Sequence, residues 1–424
     1  MEPYTKTPSA KTPPALSPLI LPAGVLVFNL LIILFPRETI AAAQEGLLLW
    51  FNNVLPSLLP FVAGANLLMG LGAAHFLAVL LEPFMQTVFG VSGSGGFAMA
   101  VGIMSGYPVG AKVTAELREK GTLTQSEAQR MASLASNAGP LFIIGAVANG
   151  MFKSTAAGWF LLTAHYGGAI LAGLLFRFLS PRATHRAAMP ARHILPSAIK
   201  SMAEARRKDG RPFGSILKQS VADTMETLLH VGGYIVLFGV IVKALELLGV
   251  PAAIESAAFP LTSRLGLSHG LLSGLFTGAL EMTNGARQTA VFGTTKEGLL
   301  AAAAVISWGG LSVHAQALGF VSRTDIKAAP YLVSKLIHAG MAVLFGFLMF
   351  PFFETALAES VPAMATLSDK PLWTLARAAG LWGLTVLVPA ACAVLWGMGQ
   401  RIWRGKIILR KLFAKRKGYG TMTK

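Results

Sequence analysis

Charged residues interrupt apolar sequence at points where the backbone also breaks. Glu281 follows sixteen uncharged residues (265–280) and opens the string Glu281-Met-Thr-Asn-Gly285. Lys112 closes Ser105-Gly-Tyr-Pro-Val-Gly-Ala-Lys112, and Arg287 closes Leu280-Glu-Met-Thr-Asn-Gly-Ala-Arg287. An ionisable side chain at membrane depth is costly and by default marks an ion, proton or substrate path. A helix that restarts after a break presents unpaired N–H groups and the positive end of its dipole, which favour an anion. Two such restarts plus Lys112 and Arg287 predict a cationic, donor-rich site for a carboxylate-bearing solute. The first break contributes Ser105, Gly106, Tyr107, Pro108 and Lys112; the second contributes Glu281, Thr283, Asn284 and Arg287.

Two further breaks carry polar groups. Asn137 and Gly139, with Pro140, end the stretch that holds Ser133 and Ser136; Ser312, His314 and Gln316 follow Gly309-Gly310. Their amides, carbonyls and hydroxyls suit a planar polar ligand or a coupling cation. Plainer roles stand beside these: cations that snorkel to headgroups, a structural Glu281–Arg287 pair, and Asn, Ser and Gln as glue between helices. His165 and His338 read as packing or interfacial residues.

These residues must be positioned by membrane helices. Of 424 residues, 54% are apolar and 13% charged, against roughly 25% charged in a soluble domain. Residues 46–81, 83–111, 131–152, 154–176, 298–322 and 378–400 contain no Asp, Glu, Lys or Arg. Each is long enough for the ~20 residues of a transmembrane helix. The predicted class is an all-α polytopic membrane protein. An uncleaved first span is expected over Leu19 to Phe35, since Pro36-Arg-Glu follows it rather than a small-residue cleavage site.

The net charge of +17 is concentrated: residues 180–212 carry eight Lys/Arg against two acids, and 401–424 carry nine against none. Basic segments beside spans stay cytoplasmic, and no nucleic-acid motif accompanies them. Segments 36–46 and 354–371 are not net basic and suit the outside. The halves between these markers echo each other: Gly110-Ala-Lys112 with Gly285-Ala-Arg287 at an offset of 175, Gly139 with Gly310 at 171, and His165 with His338 at 173. One half starts outside and ends inside, the other the reverse. That is an inverted repeat, whose substrate site lies at mid-membrane between broken helices. The organisation is then an N-terminus and first span (1–45), repeat 1 (46–179) with its re-entrant breaker at 90–112, and a basic loop (180–212). Repeat 2 (213–353) follows with its breaker at 266–287, then an extra span and basic tail (354–424).

Other chemistry finds little support. Gly90-Val-Ser-Gly93 matches a rhomboid-protease string and Ser105 could pair with Lys112, but a nucleophile needs an oriented base and such short strings recur by chance in Gly/Ser-rich sequence. No His-Glu-x-x-His, phosphate loop or dinucleotide fingerprint occurs. With one cysteine, Cys392, no disulfide or cysteine metal site forms within the chain. No enzymatic activity, cofactor or metal is expected. The expected partners are a small anionic substrate, a coupling proton or sodium ion, and the lipid bilayer; a homo-oligomer is compatible with the pattern.

The chain resembles a known family at these residues. Leu81-Glu-Pro-Phe-Met85, Gly95-Gly-Phe97, Ser105-Gly-Tyr-Pro-Val-Gly-Ala-Lys112, Asn149 onward, Gly278-Ala-Leu-Glu281, Gly309-Gly-Leu-Ser-Val-His-Ala-Gln316 and Ser322-Arg-Thr-Asp-Ile326 look like YlbJ-type sporulation integral membrane proteins. The similarity covers about residues 45–353. It implies a nucleoside recognition, or gate, domain of the kind also found in concentrative nucleoside transporters and spore maturation proteins. It also implies a role in endospore formation, moving dipicolinic acid out of the mother cell at the outer forespore membrane. The alternatives are a transporter of nucleoside-type solutes and a non-transporting scaffold for spore-envelope assembly. Dipicolinate is a planar dianion, and with paired cations in its site Lys112→Ala is expected to abolish its accumulation.

Overall fold

A computed structural model describes residues 17–179, 191–264 and 266–358. The extreme N-terminus, the start of the basic loop, the expected last span near 372–400, the basic tail and Cys392 lie outside the described residues.

All regular elements among the described residues are helical. In the first half these are α1 (Ser17–Leu34), α2 (Pro36–Leu49), α3 (Leu55–Gly70), α4 (Ala73–Phe84), α5 (Gly93–Ser105), α6 (Tyr107–Glu119), α7 (Gln125–Leu134) and α8 (Thr155–Leu179). Wider π-helical turns lie at Trp50–Val54, Met85–Phe89 and Phe142–Phe152. A connecting helix, α9 (Ala191–Asp209), leads to α10 (Phe213–Leu247), α11 (Val250–Arg264), α12 (Leu271–Leu280), α13 (Met282–Ala290), α14 (Lys296–Trp308), α15 (Gly310–Val321) and α16 (Ala328–Ala358). Among the described residues, four helices are long and apolar enough to cross a membrane, up to six if two bent pairs each count as one span.

The first bent pair departs from expectation. The predicted external segment 36–46 is helical, and α2 turns away from α1 by 103°. Pro36 sits at the first position of α2, where its missing N–H costs nothing and its fixed φ suits a helix start, while Phe35 before it lies outside the helical region (φ −125°, ψ 60°). The basic loop likewise contains a helix, α9, which packs on α4. Its Ala, Met, Glu, Lys and Arg residues are good helix formers.

Both breakers fold as helical hairpins. A Cβ built on Gly110 would lie 3.0 Å from the Cα of Gly102, whereas eight residues along a straight helix span about 12 Å. The chain therefore reverses at Gly106, with α5 and α6 crossing glycine on glycine. In the second hairpin a Cβ on Gly285 would lie 2.1 Å from the Cα of Gly278, and the chain reverses at Glu281. The matching Gly-Ala-cation strings of the sequence mark equivalent hairpin arms.

The direction of the repeat follows from α8 and α16, which occupy equivalent places at the ends of the two halves. Along α8, Phe160 meets Phe350 and Phe353, His165 meets His338, Gly167 meets Phe345 and Gly168 meets Ala342. Phe160, towards the start of α8, meets residues 350 and 353, whereas residues 165–168 meet residues 338–345, so the two helices run antiparallel, as an inverted repeat requires. His165 and His338, at matched offsets in the two halves, are in mutual contact with ring centres 4.8 Å apart. Small residues allow this approach, as is common between helices in lipid: a Cβ on Gly168 would come within 2.5 Å of the Ala342 backbone.

The connection between α15 and α16 is tied to the first hairpin outside the spans. Arg118 at the end of α6 donates to both carboxylate oxygens of Asp325, at 2.8 and 2.7 Å. That hydrogen-bonded guanidinium holds the Asp325 carboxyl below its usual range.

Candidate functional site

The tip of the first hairpin is Gly106, with φ +89° and ψ −175°, a region essentially reserved for glycine. Room exists for a side chain there, since the nearest atom to a built Cβ is the Gly139 nitrogen at 3.8 Å. Gly106→Ala is therefore expected to fold but to lose about 2 kcal/mol through backbone strain alone, read as a lower melting temperature in detergent. Pro108 follows in the first turn of α6, where a proline is welcome.

The second tip is made by a carboxylate. Glu281 is buried and caps α13, accepting hydrogen bonds from the backbone N–H groups of Thr283 (2.9 Å) and Asn284 (2.6 Å). Asp-like capping of this kind satisfies two orphan donors of a helix start inside the protein. The remaining breaks lie nearby: residues 135–139 are non-helical before Pro140 restarts the chain, and Gly309 and Gly310, both with positive φ, separate α14 from α15.

Between the tips lies a cavity of about 70 Å³, several times the ~10–15 Å³ that one water needs. The first hairpin lends it Ser105, Gly106, Tyr107 and Pro108, the second Glu281, Met282 and Thr283. The broken segments add Ala138, Gly139, Leu141, Phe142, Ser312, Val313 and Gln316, and α3 and α10 close it with Leu58, Val62, Thr227, Leu228, Val231, Tyr234 and Ile235. The starts of four helical segments thus meet at one apolar-walled space. The Ser105 hydroxyl is buried there without a hydrogen-bond partner among the described residues.

Nine of the residues singled out in the sequence line this cavity: Ser105, Gly106, Tyr107, Pro108, Gly139, Glu281, Thr283, Ser312 and Gln316. Five lie elsewhere. Lys112 is exposed on α6. Arg287 pairs with Glu45 at 3.0 Å, so the alternative Glu281–Arg287 salt bridge is not formed. Asn284 is buried on α13, its side chain against Gly239 of α10. His314 bonds the Tyr331 hydroxyl (3.2 Å) and lies edge-on to Trp308. Asn137 donates to the Leu134 carbonyl (2.6 Å) and faces a smaller chamber on the other side of the break. Neither Ser92 Oγ nor Ser105 Oγ has a hydrogen-bond partner among the described residues, and Lys112 does not pair with Ser105.

Behind the wall stands a residue the sequence reading passed over. Lys335 of α16 is fully buried; its Nζ donates to the Ser136 carbonyl (2.6 Å) and to His338 Nδ1 (2.9 Å) and lies 5.0 Å from the centre of the Tyr107 ring. Among the described residues it has no salt bridge. The Tyr107 hydroxyl donates to the Ile306 carbonyl, tying the first hairpin to α14. The sequence did hold a signal: Lys335 is the one charged residue in 328–353.

The nucleoside recognition (Gate) family model matches residues 51–158. The sporulation integral membrane protein YlbJ of Bacillus subtilis (strain 168) is 36% identical over 351 residues, covering 80% of this chain and 84% of that protein. Among solved structures, a variant of the transporter CNTnw in an outward-facing state aligns with a TM-score of 0.37 at 17% identity, over 78% of this chain and 84% of that one.

Proposed function

Because the chain belongs to the family of YlbJ-type sporulation integral membrane proteins, we propose that this multi-pass membrane protein transports a small anionic solute, dipicolinate, during endospore formation. The observation that carries the reading is the convergence of four helix starts on one cavity between two inverted hairpins. Helix starts present N–H donors and positive dipole ends to a carboxylate, and inverted repeats with broken helices bind their cargo at such a place. Glu281 neutralises the start of α13 through its two cap bonds, which leaves α6, α15 and the segment after Gly139 with no side-chain cap at their starts. Buried Lys335 lies behind Tyr107 and adds positive potential where water is scarce.

In this reading Ser105, Gly106, Tyr107, Pro108, Gly139, Thr283, Ser312 and Gln316 contact the solute, and Glu281 shapes the second tip. Lys112 and Arg287, set four residues beyond Pro108 and Thr283, stand about 6 Å further along their helices. Lys112→Ala is accordingly expected to leave uptake within about twofold of wild type, the usual scale of a surface change; uptake reduced to background would return Lys112 to the binding site.

The deciding experiment is uptake into proteoliposomes of labelled dipicolinate and uridine, each under imposed proton and sodium gradients. Faster dipicolinate uptake supports the proposal. Uridine uptake without dipicolinate uptake favours a nucleoside-type solute, in line with the match of residues 51–158 to the nucleoside recognition family. Uptake of neither favours the scaffold.

A further inference from the structure

The hydrogen bonds around Lys335 have only one consistent polarity. The backbone N–H of Ala138 donates to His165 Nε2 (3.1 Å), so that nitrogen is an acceptor and Nδ1 carries the proton it gives to Ser307 Oγ (2.9 Å). His338 Nε2 faces the His165 carbonyl (2.9 Å) and must donate; with the imidazole neutral, Nδ1 is then an acceptor for Lys335. His165 is held neutral by the Ala138 N–H, which needs the Nε2 lone pair. His338 keeps its Nε2–H on the His165 carbonyl in either charge state, so its Nδ1 is free to exchange a proton with the amine of Lys335.

Lys335 stands between two spaces. Tyr107 separates it from the substrate cavity. On the other side His338 lines a chamber of about 20 Å³ with Arg130, Ser133, Asn137 and Ser334, large enough for a water. Asn137 is 2% exposed and its Oδ1 has no hydrogen-bond partner among the described residues, an acceptor suited to such a water. The titratable groups around Lys335 are Tyr107 of the first hairpin, His165 of α8, His314 of α15 and His338 of its own helix, with Tyr166 and Tyr331 in ring contact with His165 and His314; α7 brings Arg130 to the chamber, and Ser307 of α14 bonds His165 Nδ1. No carboxylate pairs with Lys335 among the described residues. A buried charge without a counter-ion is expensive, and an anion entering the cavity would lower that cost.

We propose that Lys335 is the binding site of a coupling proton, exchanged with the small chamber through His338, so that solute movement is proton-linked. This rests on the transport reading above. In the transfer step the N–H bond on Lys335 Nζ breaks and a new one forms on His338 Nδ1. The lysine becomes a neutral amine, and the imidazolium keeps its Nε2–H on the His165 carbonyl. The Nδ1–H bond of the imidazolium then breaks and its proton passes to a chamber water, which becomes hydronium, while the neutral ring keeps its Nε2–H on the His165 carbonyl. With the solute bound, the anion favours the ammonium; without it, the amine is favoured, and the proton leaves.

The test uses full-length protein in proteoliposomes loaded with a pH-sensitive dye. Two quantities are measured: solute-driven proton flux, and exchange of labelled solute at equal pH on both sides. Lys335→Met fixes the site neutral, whereas Lys335→Arg fixes it charged, because arginine does not deprotonate in proteins. Both variants are expected to lower the proton flux per solute exchanged by at least about tenfold, whatever level of exchange each retains. A purely structural need for the charge predicts instead that arginine restores proton flux, and that result overturns the proposal. So does undiminished flux in Lys335→Met. Absence of solute exchange in wild type overturns the transport reading itself; exchange with no proton flux overturns only the coupling site.

Discussion

Gly285→Leu is expected to yield no monodisperse protein, and Gly285→Ala to lose about 3 kcal/mol or more, at the upper end of overpacking costs. A Cβ there would sit 2.1 Å from the Cα and 2.5 Å from the nitrogen of Gly278. Backbone cannot swing aside as a side chain can, so the arms of the hairpin must part. The equivalent Gly110 behaves alike, since its Cβ would fall 2.0 Å from the Ala135 carbonyl oxygen. Gly233 on α10 has nothing within 4 Å of a built Cβ, and Gly233→Ala is expected to be neutral or to stabilise by about 0.5–1 kcal/mol through helix propensity. Size-exclusion profiles after stepped heating read all three. A wild-type melting profile for Gly285→Leu would refute the crossing of α12 and α13.

Glu281→Ala should be the most damaging change at the cavity. Its two carboxylate oxygens hold the Thr283 and Asn284 N–H groups, and each buried donor left unpaired costs about 1–3 kcal/mol. Alanine leaves both without a side-chain acceptor. Glu281→Gln retains one acceptor oxygen and is expected to lose about half as much. The second tip then no longer holds its shape, and uptake is expected to fall by at least about a hundredfold in Glu281→Ala, the equivalent of 2.7 kcal/mol or more. Equal melting temperatures and equal uptake for Glu281→Ala and wild type would show that the cap does not set the tip.

Much of this architecture is written in local sequence. Glycine and proline at 106–110 and 309–310, and the isolated Glu281, mark breaks because each changes what the backbone can do at that position. Near-equal offsets between the halves point to the repeat, and loop charges point to its inversion, with which the antiparallel run of α8 against α16 agrees. Apolar length, by contrast, says nothing of direction. The stretch from Leu19 to Phe35 reads as a span, yet nothing in its composition foretells that α2 leaves it at 103°.

The cations show where reading by proximity fails. Lys112 and Arg287 adjoin the breaks in sequence, but helical rise carries them along the hairpin arms, and Arg287 finds Glu45 instead. Lys335 looks like an incidental charge in a long apolar helix. Its significance depends on the carbonyl of Ser136, 199 residues away and freed by the break before Pro140. No periodicity links two such positions; only the packing of α16 on α7 and α8 brings them together.

The most direct test of a shared site between the hairpin tips is substrate protection. Single cysteines are placed by Ser105→Cys on the first tip and Thr283→Cys on the second, each in a Cys392→Ser background, and labelled with a small thiol reagent in proteoliposomes. Dipicolinate at ten times its half-protecting concentration is predicted to slow labelling of both cysteines by about tenfold, as expected for one occupied site. Protection of neither, in protein that still takes up dipicolinate, would contradict a binding site between the tips.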